Sequence, residues 1–305
     1  MSSATPTAGP SKAIVFVRRT ASTLGLWALV TAIFLSHQGW AFLGLITLLA
    51  LAAAAEYFRM VRKAGQPAFP AVGMAVSVLY CVLMDLALLR GEPVPVWLDG
   101  AALFAVTAAC FTLQLRHPIR GPETLHGIAL TVLGFVSIPF LFQFAARLVY
   151  LVPEDVPAGI VGEQGAFLLL WLLAVTKFTD MGAYITGSMI GRHKMIPHVS
   201  PGKTWEGFGG ALFFSQLAGC GLFALFPAQL AALGGYGHVV ALGFLLALLA
   251  VIGDLAESVV KRALDAKDSG RFLPGIGGAL DLIDSVCFTA PAMVFYLKCI
   301  HQTPA

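Results

Sequence analysis

Apolar residues in this chain come in long runs separated by short polar ties. A bilayer core takes about 20 apolar residues per helix. Nine runs approach that length, at 21–36, 39–56, 69–90, 95–114, 127–152, 165–190, 206–228, 238–260 and 283–300. The pattern predicts an all-α polytopic membrane protein with eight or nine transmembrane helices. Arg18 and Arg19 precede the first run as in a signal peptide, but no small-residue cleavage site follows, so the run is read as a retained helix.

Composition agrees: 58% of the 305 residues are hydrophobic and 11% charged, with mean hydropathy +0.84, whereas a soluble domain carries about a quarter charged residues. Cys81, Cys110, Cys220, Cys287 and Cys299 lie in or beside apolar runs without a CxxC pair or zinc spacing, and read as small apolar filler. The net charge of +3 is slight, but its placement matters. With a cytoplasmic N-terminus, the inside connections hold Lys12, Arg18 and Arg19, then Arg59, Arg62 and Lys63, then Arg116 and Arg120, then Arg192, Lys194 and Lys203, then Lys261, Arg262, Lys267 and Arg271. Most of the 19 basic residues thus fall on one side, which sets the predicted orientation.

Up to residue 164 the ties are ordinary, so 1–164 is read as N-terminal transmembrane helices. From 165 to 305 two inside loops become long, glycine-rich and charged, and this half is read as the catalytic region. In the first charged stretch, Lys177, Asp180 and Tyr184 follow i, i+3, i+7 spacing on one helix face. A charge in lipid costs at least about 2.5 to 3.5 kcal/mol, so such a pair faces a cavity or each other. They form a polar site within the membrane, or an ion pair tying helices. The following loop holds Arg192, His193, Lys194, His198, Ser200, Lys203 and Thr204. Ser200-Pro201 predicts extended backbone, and Glu206 falls in the first turn of the next helix. Amides at that helix start, with Lys203, suit a phosphate; a basic loop lying on anionic headgroups is the plainer alternative.

In the second stretch Asp254, Ser258 and Lys261 share a helix face, with Glu257 beside them. Lys267, Asp268 and a glycine-rich turn follow, then Asp281 and Asp284 open the last helix. Hard oxygens from two helix ends suit magnesium, usually held by one or two carboxylates plus water and substrate phosphates. Asp254 and Asp281 are therefore the candidate metal ligands. Alternatively, Asp281 and Asp284 only complement a helix N-terminus.

The stretch GDLAESVVKRALDAKDSGRFLPGIGGALDLIDS (253–285) resembles the signature of the phosphatidate cytidylyltransferase (CDP-diacylglycerol synthase) family, and DMGAYITGSMIGRHKMIPHVSPGKTWEGFGG (180–210) resembles that family's upstream block. The resemblance implies Mg²⁺-dependent transfer of CMP from CTP to phosphatidic acid, giving CDP-diacylglycerol and pyrophosphate at the inner membrane. A second cation is left open. It implies catalytic roles for Ser258, Lys261, Arg262, Lys267, Asp268 and Asp284, substrate contacts from Asp180, Ser200, Lys203, Thr204 and Glu206, and metal binding by Asp254 and Asp281. Lys177 and Arg271 join the substrate-binding set by position and charge. Where many members have histidine and arginine, this chain has Ile276 and Leu282. The expected partners are CTP, phosphatidic acid and the bilayer, with no nucleic acid and a homodimer left open. Two other readings stand: a CTP-dependent enzyme acting on another lipid phosphate or a polyprenol, and an ion-coupled transporter. The transporter is disfavoured because no internal repeat accompanies the charges.

Overall fold

The computed structural model describes residues 25, 28–270 and 277–302. Arg271 and Ile276, and the basic residues Lys12, Arg18 and Arg19, lie outside them. Residues 28–36 are helical and precede nine labelled helices: α1 (Gly39–Lys63), α2 (Pro70–Leu89), α3 (Trp97–Gln114), α4 (Pro122–Phe135), α5 (Phe144–Val149), α6 (Glu163–Ile190), α7 (Trp205–Leu225), α8 (Tyr236–Ala263) and α9 (Ala279–Gln302). Among the described residues eight stretches are long and apolar enough to cross a bilayer, because α4 and α5 form one run from Pro122 to Val149, and the run expected at 21–36 lies partly outside the described residues. Between them lies a π-helical turn, Val136–Phe140, containing Pro139. Proline lacks an N–H and its ring crowds the carbonyl four residues back, so the ladder widens at that point.

The connections alternate between the two ends of the bundle, so α1–α2, α3–α4, α6–α7 and α8–α9 all join at one end. Arg59, Arg62, Lys63, Arg116, Arg120, Arg192, Lys194, Lys203, Lys261, Arg262 and Lys267 belong to that end. One apolar core runs from Leu43 to Leu297 and includes Cys81, Cys110 and Cys287. The most buried span is α9, which packs on α1, α5, α6 and α8; α3 and α7 are the least buried and turn residues such as Phe104, Phe111, Phe213 and Leu217 outward.

The α6–α7 connection, expected only to be extended at Ser200-Pro201, is a hairpin. Its strands β1 (Lys194–Ile196) and β2 (Ser200–Thr204) pair antiparallel with an irregular register. Extended β2 matches the expectation; its pairing with β1 is new.

Toward the far end, polar groups tie the N-terminal helices together. Thr47 Oγ1 donates to Asp85 Oδ2 (2.7 Å) and Gln143 Nε2 to Asp85 Oδ1 (2.9 Å). Arg147 pairs with Asp99, and Tyr80 Oη donates to the same carboxylate (3.0 Å). The pair is half-buried, so removing one partner leaves the other incompletely compensated. Asp99→Ala is therefore expected to lower the thermal unfolding midpoint in detergent, while Asp99→Ala combined with Arg147→Leu recovers much of it.

Candidate active site

The two charged stretches meet where α6, the hairpin, α7, α8 and α9 converge. Gly253 makes the meeting possible: a Cβ there would lie 2.9 Å from the Asp284 carbonyl oxygen and 2.9 Å from Ser285 Cα. With only hydrogen at this position, α8 and α9 approach closely, and Asp254 comes beside Asp284. Asp254, Glu257 and Asp284 each offer an oxygen, and the three oxygens lie within 4.8 Å of one another. Two come from α8 and one from α9.

Two lysines hold this acidic group. Lys203 Nζ, from β2, lies 2.9 Å from Asp254 Oδ2 and also donates to the Val251 carbonyl (3.4 Å). Lys261 Nζ lies 2.5 Å from Glu257 Oε2 and 2.9 Å from Asp281 Oδ1. Asp281 is thus joined to the acids through Lys261. Its other oxygen accepts from the Ser269 hydroxyl (2.8 Å) and the Gly278 N–H (2.9 Å). Of the pair expected from sequence, Asp254 lies in the tight group and Asp281 lies beside it; Glu257 and Asp284 complete that group.

The donor set suits a hard divalent cation. All its donors are carboxylate oxygens, the hard ligands that Mg²⁺ takes at about 2.0 to 2.1 Å. Glu257 Oε1 is buried with no hydrogen-bond partner among the described residues. An unpartnered buried acceptor is costly, and a cation would satisfy it.

A cleft of about 380 Å³ opens next to the acids, lined by Asp180, Tyr184, Ser200, Lys203, Thr204 and Asp254 among others. Asp180, Ser200, Lys203, Thr204 and Asp254, all expected from sequence, therefore line one cleft. Thr204 also caps α7, its Oγ1 accepting the Gly207 N–H at 3.1 Å. Thr204→Ala is expected to cost about 1 kcal/mol of stability, read as a lower unfolding midpoint.

Other expected residues have different surroundings. Glu206 accepts the backbone N–H groups of Arg192 (3.1 Å) and His193 (3.2 Å) and meets His193 Nδ1 at 2.5 Å. It latches the hairpin to α7, outside the cleft lining. Arg262 Nε donates to the Val199 carbonyl at 3.5 Å, closing the hairpin against α8. Lys177 Nζ donates to the Leu282 carbonyl (3.0 Å) and sits 3.5 Å from Asp180 Oδ2. The Leu282 backbone thus has a polar task although its side chain packs on the core. Ser258 is half-buried on the face of Asp254, and Lys267 and Asp268 are exposed in the α8–α9 connection. Two acids were absent from the expected set, Glu257 and Glu56. The sign of Glu56 in the sequence is one carboxylate inside the apolar run LAAAAEYF, a placement that lipid penalises unless it has partners.

Comparison with known proteins places this geometry in context. The chain is 36% identical over 198 residues to the uncharacterized protein YnbB of Escherichia coli, covering 64% of this chain and 63% of that one. It is 37% identical over 177 residues to a phosphatidate cytidylyltransferase of Mycobacterium leprae, covering 57% and 51%. With that enzyme of Mycobacterium bovis the match is longer, 28% over 290 residues, covering 88% and 83%. The chain thus spans between half and two thirds of the first two relatives and most of the third. A model of the cytidylyltransferase family matches residues 17–300, nearly the whole chain and both charged stretches, and the chain belongs to that family.

Proposed function

We propose that this protein is a phosphatidate cytidylyltransferase, a nucleotidyltransferase that moves CMP from CTP to phosphatidic acid and yields CDP-diacylglycerol and pyrophosphate. The observation that carries the reading is the group of Asp254, Glu257 and Asp284, held against Lys203 and Lys261 beside a cleft at the charged end of a membrane bundle. A soluble triphosphate and a lipid phosphate can meet only at such an end.

Both substrates are polyanions, so the work is positioning and charge neutralisation. An oxygen of the phosphatidic acid phosphate attacks the α-phosphorus of CTP. The new P–O bond forms as the bond from the α-phosphorus to the bridging oxygen breaks, and pyrophosphate leaves with that electron pair. A phosphate monoester has a second pKa near about 6 and is largely dianionic at pH 7. No residue is needed as general base, so Ile276 in place of histidine does not stop the chemistry. Lys203 and Lys261 orient phosphate oxygens, with Arg262 and Lys267 adding positive charge at the rim and Ser200, Thr204 and Ser258 offering hydroxyls. Lys177 and Asp180 stiffen the cleft wall. Asp254, Glu257 and Asp284, with Asp281 at their edge, would hold Mg²⁺, which when bound supplies Lewis-acid polarisation of phosphoryl oxygens.

The clustering of basic residues at the site end supports placing that end in the cytoplasm, where CTP is available, and the protein in a bacterial inner membrane. Purified protein in detergent with labelled CTP, Mg²⁺ and phosphatidic acid tests the reading. Lipid-linked CMP is expected; its absence with phosphatidic acid but appearance with another lipid phosphate would shift the substrate and keep the chemistry.

A further inference from the structure

One buried carboxylate reaches the site from outside both charged stretches. Glu56 stands on α1 among apolar neighbours and is 2% exposed. Its partners come from the other end of the chain. Glu56 Oε2 accepts the Leu280 N–H at 3.0 Å, in the first turn of α9. The Ser269 hydroxyl lies between Glu56 Oε2 (3.4 Å) and Asp281 Oδ2 (2.8 Å). A chain of polar contacts therefore runs from Glu56 through Ser269 to Asp281, then through Lys261 to Glu257.

The backbone is shaped around this carboxylate. A Cβ on Gly270 would collide with Glu56 Oε1, and one on Gly278 with Ser269 Oγ and Glu56 Oε2. Two glycines of the α8–α9 connection are thus drawn against one side chain of α1. Glu56 Oε1 is buried without a hydrogen-bond partner among the described residues. An alanine here would orphan the Leu280 N–H and leave Ser269 with one fewer neighbour. Such an arrangement costs more than an apolar contact needs to, and what it secures is the direction of Asp281.

We propose that Glu56 is a positioning residue for the cation site: it anchors the first turn of α9 and, through Ser269, aims Asp281 at Lys261 and the acids of α8. This rests on the reading of those acids as a divalent-cation site. Partners of this indirect kind change metal affinity or activity about 10- to 100-fold when removed. A residue that only supported the fold would change the yield of folded protein and leave the folded fraction with normal metal affinity.

Mn²⁺ binding, followed by the electron paramagnetic resonance of the free ion without nucleotide or lipid, reads this directly. Glu56→Ala is expected to weaken Mn²⁺ binding about 10- to 100-fold and to lower kcat more than it raises the KM for CTP. Glu56→Gln keeps a carbonyl oxygen for the Leu280 N–H and falls between Glu56→Ala and the natural protein. Helical circular dichroism and a single size-exclusion peak define the folded fraction. A folded Glu56→Ala with unaltered Mn²⁺ affinity overturns the proposal. If Glu56→Ala does not fold, Ser269→Ala decides, since it removes the middle link and leaves the Glu56–Leu280 bond: about tenfold weaker Mn²⁺ binding supports the proposal, and unaltered binding overturns it. Natural protein that binds no Mn²⁺ overturns both this proposal and the cation site. Natural protein that binds Mn²⁺ but makes no lipid-linked CMP sinks only the proposed reaction.

Discussion

Asp254→Ala is expected to reduce transfer of CMP to phosphatidic acid by a hundredfold or more while leaving the helices folded. Asp254 takes part in two arrangements at once, the oxygen group with Glu257 and Asp284 and the 2.9 Å pair with Lys203. Its loss removes a proposed cation ligand and frees Lys203, which orients phosphate in the proposed reaction. Removing a single preorganised electrostatic contact commonly costs about 10²- to 10³-fold in rate, and here two are lost together. The fold survives because the Asp254 side chain faces the cleft with 39% exposure. The check is the initial rate of lipid-linked CMP formation beside the unfolding midpoint. A folded variant with normal turnover removes Asp254 from the site.

Lys261→Met is expected to damage stability and activity together, and a second substitution separates them. Lys261 compensates both Glu257, with a side chain 5% exposed, and Asp281. Breaking a buried pair by removing one member costs about 3 to 5 kcal/mol because the remaining charge is left without compensation. Lys261→Met should therefore unfold at clearly lower temperature and show no measurable turnover. Adding Glu257→Leu removes the stranded carboxylate and should restore a large part of the stability, since apolar replacement of a buried pair is often neutral or better. Turnover should stay absent in the double variant, because the phosphate-orienting cation and a proposed cation ligand are both gone. Recovery of turnover along with stability would show that Lys261 and Glu257 only hold helices together.

The expectations drawn from sequence and the finished structure agree where the controlling property is local. The runs at 39–56, 69–90 and 238–260 foretold α1, α2 and α8 because a lipid crossing demands apolar length and little else. The spacing of Asp254, Ser258 and Lys261 showed a shared helix face because 3.6 residues per turn is a constant of the helix. Agreement weakens at the hairpin. Strands of three and five residues, KMI and SPGKT, are too short to show alternation, and Pro201 hides the second one. The break at Pro139 leaves no mark on the apolar run 127–152, because hydropathy does not register a change of backbone pitch.

The site itself divides along the same line. By itself the sequence bounded the apolar runs long enough to cross a membrane at eight or nine, and showed which ends collect positive charge and that acids cluster at the facing ends of α8 and α9. Each follows from composition, period or distance along the chain. Only the tertiary structure decided that Asp284 and Glu257 join Asp254, that Lys261 bridges Glu257 and Asp281, that Lys177 serves the Leu282 carbonyl, and that Glu56 meets an amide 224 residues away. Separations of a few ångströms between side chains on different helices depend on how closely the helices cross, and that closeness was set by contacts such as Gly253 against Ser285. No pattern read along one helix contains that information.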